Sequence, residues 1–374
     1  MRSAFAVLAL VATTTATVES TAQAQRAWQP EIGIQGGYSH VKPAGTGEDD
    51  AETLIMLPGG STLTPLLSYG SLYAIIPWNN KLAVEPTLGF SQFNVFGGGG
   101  TAMRIGLRLN YALSDGLYAG GGGVLNYIES GGDNGTQLGL QLGVGYRRQL
   151  SPGLNGRIEA QWVTVNEAEN VTDAFNAYSV LLGVSSRIGA RPAARGRPGA
   201  ARSTSLWTSA LGVVGGYSRV HVVGGGGDFT ALTAPGFGSS IAPTLDAFAP
   251  GPPVLFAILP IGRNIALEPG LDVTSVDGPV EGSIFAAAVG LRLNYAVTGG
   301  WYGAVGGQLT HVDAEDGVST SVLGGSLAWG YRFTLTRNLG GRVELNYLSN
   351  PRNDDLGTAT NTFSVLLGVL MPVR

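Results

Sequence analysis

Apolar and polar residues alternate with a period of two along most of this chain. From Thr101 to Leu113 the odd positions carry Thr, Met, Ile, Leu, Leu, Tyr and Leu, whereas the even positions carry Ala, Arg, Gly, Arg, Asn and Ala. The segments Gln137–Arg147 and Leu323–Phe333 repeat this pattern. Because successive side chains of a β-strand point to opposite faces, the pattern predicts strands with one apolar and one polar face.

The first half of the chain contains eight such segments, which cover approximately residues 30–41, 66–77, 81–92, 101–113, 116–128, 136–149, 155–165 and 177–188. The connections near 77–80, 114–116 and 150–154 are short, whereas those at 42–65, 93–100, 129–135 and 166–176 are longer and are predicted as loops. A strand of about 11 residues, tilted by about 40°, spans the apolar layer of an outer membrane. Short turns on one side and longer loops on the other are typical of transmembrane barrels.

The chain is internally duplicated. Five motifs recur in the same order: GGYS at 36–39 and 215–218, EP at 85–86 and 268–269, GLRLNYA at 106–112 and 290–296, GYR at 145–147 and 330–332, and SVLLGV at 179–184 and 364–369. Between the copies lies a stretch rich in Arg, Pro, Ala and Gly, without apolar periodicity, which indicates a solvated linker. The order of the motifs indicates a tandem duplication.

The sequence therefore predicts an all-β fold of two tandem, antiparallel, up-and-down transmembrane barrels with eight strands each. The predicted units are a signal peptide at 1–24, a first barrel at 25–189, a linker at 190–205 and a second barrel at 206–374. The alternative is a single sixteen-stranded, porin-like barrel formed by both copies. A linker of this length and composition favours two barrels, because the periplasmic turns of large barrels are short.

Composition narrows the class of protein. The basic start Met1–Arg2, the apolar stretch Ala4–Ala12 and the small residues before Gln25 predict a secretory signal peptide, and hence export through the general secretory pathway. After this segment no apolar run approaches the 20 residues of a transmembrane helix. The 59 glycines, the 13% of charged residues and the net charge of −4 fit a membrane barrel and argue against a nucleic-acid partner. Cysteine is absent, which excludes disulfides and thiol chemistry.

Aromatic residues lie at the ends of the predicted strands, where amphipathic rings favour the membrane interface. Those near the short turns are Tyr111, Tyr146, Tyr295, Trp301 and Tyr331, and those near the long loops are Phe90, Tyr127, Trp162 and Tyr347. With this pattern each copy resembles the small eight-stranded outer-membrane barrels, the family of the outer membrane protein A membrane domain and the opacity and adhesion barrels. The resemblance implies a bacterial outer-membrane location and contacts with lipid and the barrel assembly machinery. The chain departs from the family in ending Met371-Pro-Val-Arg374 rather than in an aromatic residue.

Charged residues on the polar face of each strand are predicted to point into the lumen, because an Arg facing lipid at mid-depth costs about 2–4 kcal/mol. This predicted lumen charge network comprises Glu31, Glu85, Arg104, Arg108, Arg147, Arg157 and Glu159 in the first copy, and Glu268, Asp272, Arg292, Arg332, Arg342 and Glu344 in the second. Buried charges have to pair. One interpretation is that the pairs plug and hold the barrel; the other is a gate that switches partners. Glu85–Arg108 and Glu268–Arg292 are the first pairs expected.

No constellation for catalysis is recognisable. His40, His221 and His311 are isolated, and Ser39 and His40 are neighbours on a strand, so they face opposite sides. We therefore expect no catalytic, metal or cofactor site, and no enzyme activity. The leading expectation is a structural or surface-interaction protein that contacts an unidentified extracellular ligand through its loops, and the alternative is a passive, porin-like channel for small solutes.

Overall fold

The structure, a computed structural model, describes residues 28–44, 52–56, 72–95, 98–130, 133–151, 153–167, 174–188, 206–223, 228–233, 253–278, 282–314, 319–336, 339–352 and 359–373. The predicted signal peptide at 1–24 and linker at 190–205 lie outside these residues. Among the described residues, no helix is long and apolar enough to cross a membrane.

Within the described ranges each copy contributes nine strands. In the first copy they are β1 (Glu31–Pro43), β2 (Glu52–Met56), β3 (Leu72–Pro77), β4 (Leu82–Val95), β5 (Gly98–Ala112), β6 (Leu117–Ser130), β7 (Asp133–Ser151), β8 (Leu154–Val165) and β9 (Phe175–Arg187). In the second they are β10 (Ala210–Val223), β11 (Asp228–Thr233), β12 (Leu255–Pro260), β13 (Ile265–Gly278), β14 (Gly282–Thr298), β15 (Trp301–Ala314), β16 (Ser319–Thr336), β17 (Leu339–Asn350) and β18 (Ala359–Pro372).

The second strand of each barrel is divided into two pieces. On β1, residues Glu31–Ile34 pair with β3 and residues Gly37–Val41 pair with β2, so β2 and β3 occupy successive parts of one strand position. On β10, the pieces β12 and β11 are arranged in the same way. The prediction of a loop over 42–65 is therefore wrong for β2. The five-residue strand lies between turn-forming residues and is too short to show a clear alternation.

At the short-turn end each copy closes on itself, which confirms two eight-stranded antiparallel barrels. Strand β1 pairs with β9 from Glu31 opposite Arg187 to Pro43 opposite Phe175. Strand β10 pairs with β18 from Ala210 opposite Pro372 to Val223 opposite Ala359. The strands from β4 to β9 and from β13 to β18 pair in chain order, as the connections between them require.

The barrels also exchange strands at the end that carries the long loops. Strand β2 of the first copy pairs with β13 of the second, with Ile55 opposite Ser275. Reciprocally, β11 of the second copy pairs with β4 of the first, with Leu232 opposite Gln92. Through these two pairings, eight strand positions from each copy form one continuous ring of sixteen at this end. At the short-turn end, β3 and β12 keep the two barrels separately closed.

The outer surface is apolar and the interior is polar, as the alternation predicts. Along β7, Leu138, Leu140, Leu142 and Val144 are each more than half exposed, whereas Gln141 on the opposite face is buried. The predicted outward rings near the short turns, including Tyr111 and Trp301, are exposed as well. In water a belt of this extent would be unfavourable, so the surface is that of a barrel surrounded by lipid.

Candidate functional site

Four charged side chains meet in the lumen of the first barrel, and we call them the first ion cluster: Glu85, Arg108, Arg157 and Glu159. Glu85 lies opposite Arg108 on neighbouring strands, and its Oε1 accepts a 2.8 Å hydrogen bond from Arg108 Nη2. From β8, across the lumen, Glu159 accepts hydrogen bonds of 2.6 and 2.7 Å from Arg108, while Arg157 Nη1 donates one of 2.8 Å to Glu85 Oε2. All four residues are buried, and their formal charges cancel.

The second barrel contains the same arrangement, the second ion cluster: Glu268, Arg292, Arg342 and Glu344. Arg292 donates to Glu268 and, at 2.6 and 3.1 Å, to the two oxygens of Glu344. Arg342 Nη1 lies 3.0 and 2.9 Å from the two oxygens of Glu268. The duplication has therefore preserved a neutral cluster that ties β13 and β14 to β17 on the opposite wall.

Uncharged side chains donate further hydrogen bonds to the carboxylate oxygens. Asn110 Nδ2 donates a 2.8 Å hydrogen bond to Glu85, and the Tyr118 hydroxyl donates one of 2.5 Å to Glu159. In the second barrel Asn294 donates to Glu268 at 3.2 Å, and Tyr302 donates to Glu344 at 2.6 Å. Ionised carboxylates buried in this way need several donors, and the lumen supplies them.

Buried aromatic rings lie in each lumen between the ion cluster and the short-turn end. The buried Trp28 packs edge-on against Tyr118 with ring centroids 5.4 Å apart, and its indole nitrogen donates to the Lys81 carbonyl at 2.9 Å. In the second barrel, Trp207 packs on Tyr302 at 5.5 Å. The guanidinium groups of the clusters also stack on rings: Arg157 lies over Tyr73 and Arg342 over Phe256, each at 3.7 Å.

The remaining predicted lumen charges are distributed differently in the two copies. Glu31 is buried and accepts hydrogen bonds from Asn155 at 2.7 Å and Ser185 at 2.6 Å, with Arg147 at 3.2 Å. Arg147 also lies over the Trp28 ring at 5.0 Å, and its copy Arg332 lies over Trp207 at 3.6 Å and donates to a backbone carbonyl at 3.2 Å.

Arg104 and Asp272 are fully buried and belong to neither ion cluster. Arg104 lies opposite Gly89, and the same pair of positions in the second barrel is Ala288 opposite Asp272. One pair of wall positions thus carries a positive charge in the first barrel and a negative charge in the second.

Several residues of this site were not predicted from the alternation of apolar and polar positions, because they are aromatic or uncharged. They are Trp28, Tyr73, Asn110 and Tyr118, with their copies Trp207, Phe256, Asn294 and Tyr302. The duplication carries a signal for them, since Trp28 and Trp207 are separated by the same number of residues as the two GGYS motifs. Within the described residues, no group of three or more His, Asp or Glu side chains is placed to hold a metal ion.

Glycines of the wall make room for these rings, which gives a direct test. A Cβ atom on Gly330 would lie 2.5 Å from the Tyr302 ring. We expect Gly330→Val to push Tyr302 away from Glu344 and to lower the free energy of unfolding by about 1–3 kcal/mol, as overpacking does. Denaturant titration of the protein in lipid vesicles would measure this effect.

Gly325→Val is the matched control on the same strand, because a Cβ atom at Gly325 meets nothing within 4 Å. The control should be neutral or slightly stabilising. Equal destabilisation by both substitutions would contradict the tight contact between Gly330 and Tyr302.

The chain matches no protein-family model and no curated protein. Among solved structures it is similar to Neisserial surface protein A, with 12% identity, a TM-score of 0.29, and coverage of 42% of this chain and 96% of that one. It is also similar to Ail, the attachment invasion locus protein of Yersinia pestis, with 15% identity, a TM-score of 0.24, and coverage of 43% and 99%. The CymD monoaromatic hydrocarbon channel matches with 9% identity, a TM-score of 0.30, and coverage of 94% and 92%. Similarities at these values transfer no activity.

Proposed function

We propose that the chain is a non-enzymatic outer-membrane protein whose two sealed barrels anchor surface loops for contacts with other molecules. The observation that carries the proposal is the double seal in each lumen. A neutral ion cluster joins opposite walls, and a Trp–Tyr pair lies between the cluster and the short-turn end. An open porin needs a continuous polar channel, whereas these lumens are occupied by side chains.

Location in the membrane is supported by the apolar outer surface and by the charges turned inward. The outer surface exposes many large apolar side chains, among them Leu138, Leu291 and Leu323. The predicted signal peptide supports export to a bacterial outer membrane, with lipid and the barrel assembly machinery as obligatory partners.

Passive passage of small solutes is the second candidate. It is supported by the ion clusters themselves, because every arginine in them faces two carboxylates and could exchange one for the other. Such an exchange would open a narrow path without unfolding the wall. This candidate predicts brief, small openings rather than a permanent pore.

Conductance in planar bilayers separates the two functions. We expect the full mature chain to insert with almost no steady current, because an ion cluster and a Trp–Tyr pair lie across each lumen. Trp28→Ala combined with Trp207→Ala removes the rings at both short-turn ends and should raise the frequency of openings. The lipid-facing Leu142→Ala is the matched control and should leave the current unchanged. A large, steady current from the parent protein would overturn the sealed-barrel proposal.

A further inference from the structure

The two lumens differ on the long-loop side of their ion clusters. Matched through the repeat, the larger side chains Thr87, Gln141 and Gln161 of the first barrel are replaced by Gly270, Ser326 and Asn346 in the second. Each replacement removes side-chain atoms from the polar face of a strand. These three replacements therefore remove side-chain volume from this part of the second lumen.

The structure places a cavity at this position in the second barrel. Its volume is about 20 Å³, and its polar lining includes Glu268, Arg292, Gln308, Ser326, Arg342 and Asn346. A cavity of this size accommodates about one water molecule. The second ion cluster therefore borders the cavity directly, through Glu268 and both of its arginines.

The wall around the cavity shows the same difference between the copies. In the first barrel, a Cβ atom on Gly106 would lie 2.2 Å from Thr87 Oγ1 and 3.0 Å from Gln141 Nε2. At Gly290, the copy of Gly106, the nearest atom is instead Pro253 Cγ at 2.9 Å. Polar side chains thus lie closest to this part of the wall in the first barrel, whereas an apolar proline ring lies closest to it in the second.

Asn346 supplies a second, independent observation. This residue is 1% exposed, and both its Oδ1 and its Nδ2 lack a hydrogen-bond partner. Its copy, Gln161, donates a 3.3 Å hydrogen bond to Gln141. Asn346 and Ser326 are shorter than Gln161 and Gln141 and do not form this hydrogen bond. Buried amide groups are nearly always hydrogen-bonded, so Asn346 needs another partner.

We propose that the cavity is a binding site for an internal water molecule held by Asn346. Water fits the site because it can donate to Asn346 Oδ1 and accept from Asn346 Nδ2, and the cavity is polar and of the right size. The second barrel is then hydrated beside its ion cluster, at a level that side chains fill in the first. For an exchange of ion-pair partners, the water molecule would lower the desolvation cost of the ions in the second ion cluster.

Water contact can be measured on the full chain in detergent by NMR. With asparagine labelled by nitrogen-15, magnetisation transfer from water to the Asn346 side-chain amide should be strong, and the peak is assigned by its loss in Asn346→Gln. Ser326→Gln restores the partner residue of the first barrel and should reduce this transfer severalfold. The outward-facing Gly325→Val is the control and should leave it unchanged.

The reciprocal variant keeps the test valid if Ser326→Gln fails to fold. Combining Gln141→Ser with Gln161→Asn in the first barrel should add the side-chain amide introduced at position 161 to those that receive magnetisation from water. The proposal is overturned if the parent shows no transfer to Asn346, or if neither exchange of residues changes the transfer at its own position, 346 or 161.

Discussion

Glu85→Ala is expected to lower the free energy of unfolding by about 3–5 kcal/mol, because it removes one member of a buried ion cluster. Glu85 accepts hydrogen bonds from Arg108, Arg157 and Asn110, each at 2.8 Å. Its removal leaves two arginines to share Glu159 in a lumen without bulk water. Urea titration in lipid vesicles, followed by tryptophan fluorescence, would measure the loss, and Glu268→Ala should behave alike.

The double substitution Glu85→Ala with Arg108→Ala provides the control. Because both charges leave together, its effect should fall well below the sum of the two single effects, with a coupling energy of about 0.5–3 kcal/mol. Additive effects would show that Glu85 and Arg108 do not interact in the membrane. Leu142→Ala, on the lipid side, should change stability much less than either single variant.

The exchanged strands should give an all-or-none result in cysteine cross-linking. The chain has no cysteine, so introduced pairs have no background. Ile55→Cys with Ser275→Cys joins residues that lie opposite each other across the two copies, and Leu232→Cys with Gln92→Cys is the reciprocal pair. Opposite residues of antiparallel strands are close enough for a disulfide. We expect both pairs to cross-link under mild oxidation, and each should tie the two halves together after cleavage between the copies.

The pair Ile55→Cys with Gln92→Cys is the discriminating control. If each barrel used its own second strand along its whole length, β2 would lie beside β4, and the repeat would place Ile55 opposite Gln92. Cross-linking of this pair, with none between Ile55 and Ser275, would contradict the exchange. The gel shift in the denatured protein distinguishes the outcomes, because the disulfides close loops of very different length.

The direction of most side chains could be predicted from the sequence, because the period of a strand is two and lipid excludes charge. That reasoning turns Glu85 and Arg108 inward, and the structure places them opposite each other on neighbouring strands. It could not find Glu159 as a further partner of Arg108. The two residues lie on strands that are not neighbours, and alternation does not say which walls face each other across a lumen.

The features that could not be predicted from the sequence lie in short or aperiodic segments. Trp28 precedes the first strand and has no periodic context, although it closes the lumen. The five residues of β2 carry too little pattern to be recognised as a strand, and their partner on β13 lies in the other copy. Because repeated units contain similar edges, only the packing of the whole chain decides whether a strand pairs within its own copy or with the other.

The strand exchange also affects the route by which the protein can fold. Met56 lies opposite Thr274, so part of the first barrel's wall can form only after residues about 220 positions later in the chain are present. While the second copy is missing, β2 can pair only with strands of its own copy, as in the closed monomer of a domain-swapped pair. Folding therefore passes through one of two intermediates. Either β2 and β11 stay unpaired with β13 and β4 at the long-loop end, or each barrel first closes on itself there and has to reopen. In both routes the final strand pairing of the outer rim forms only when both copies are present.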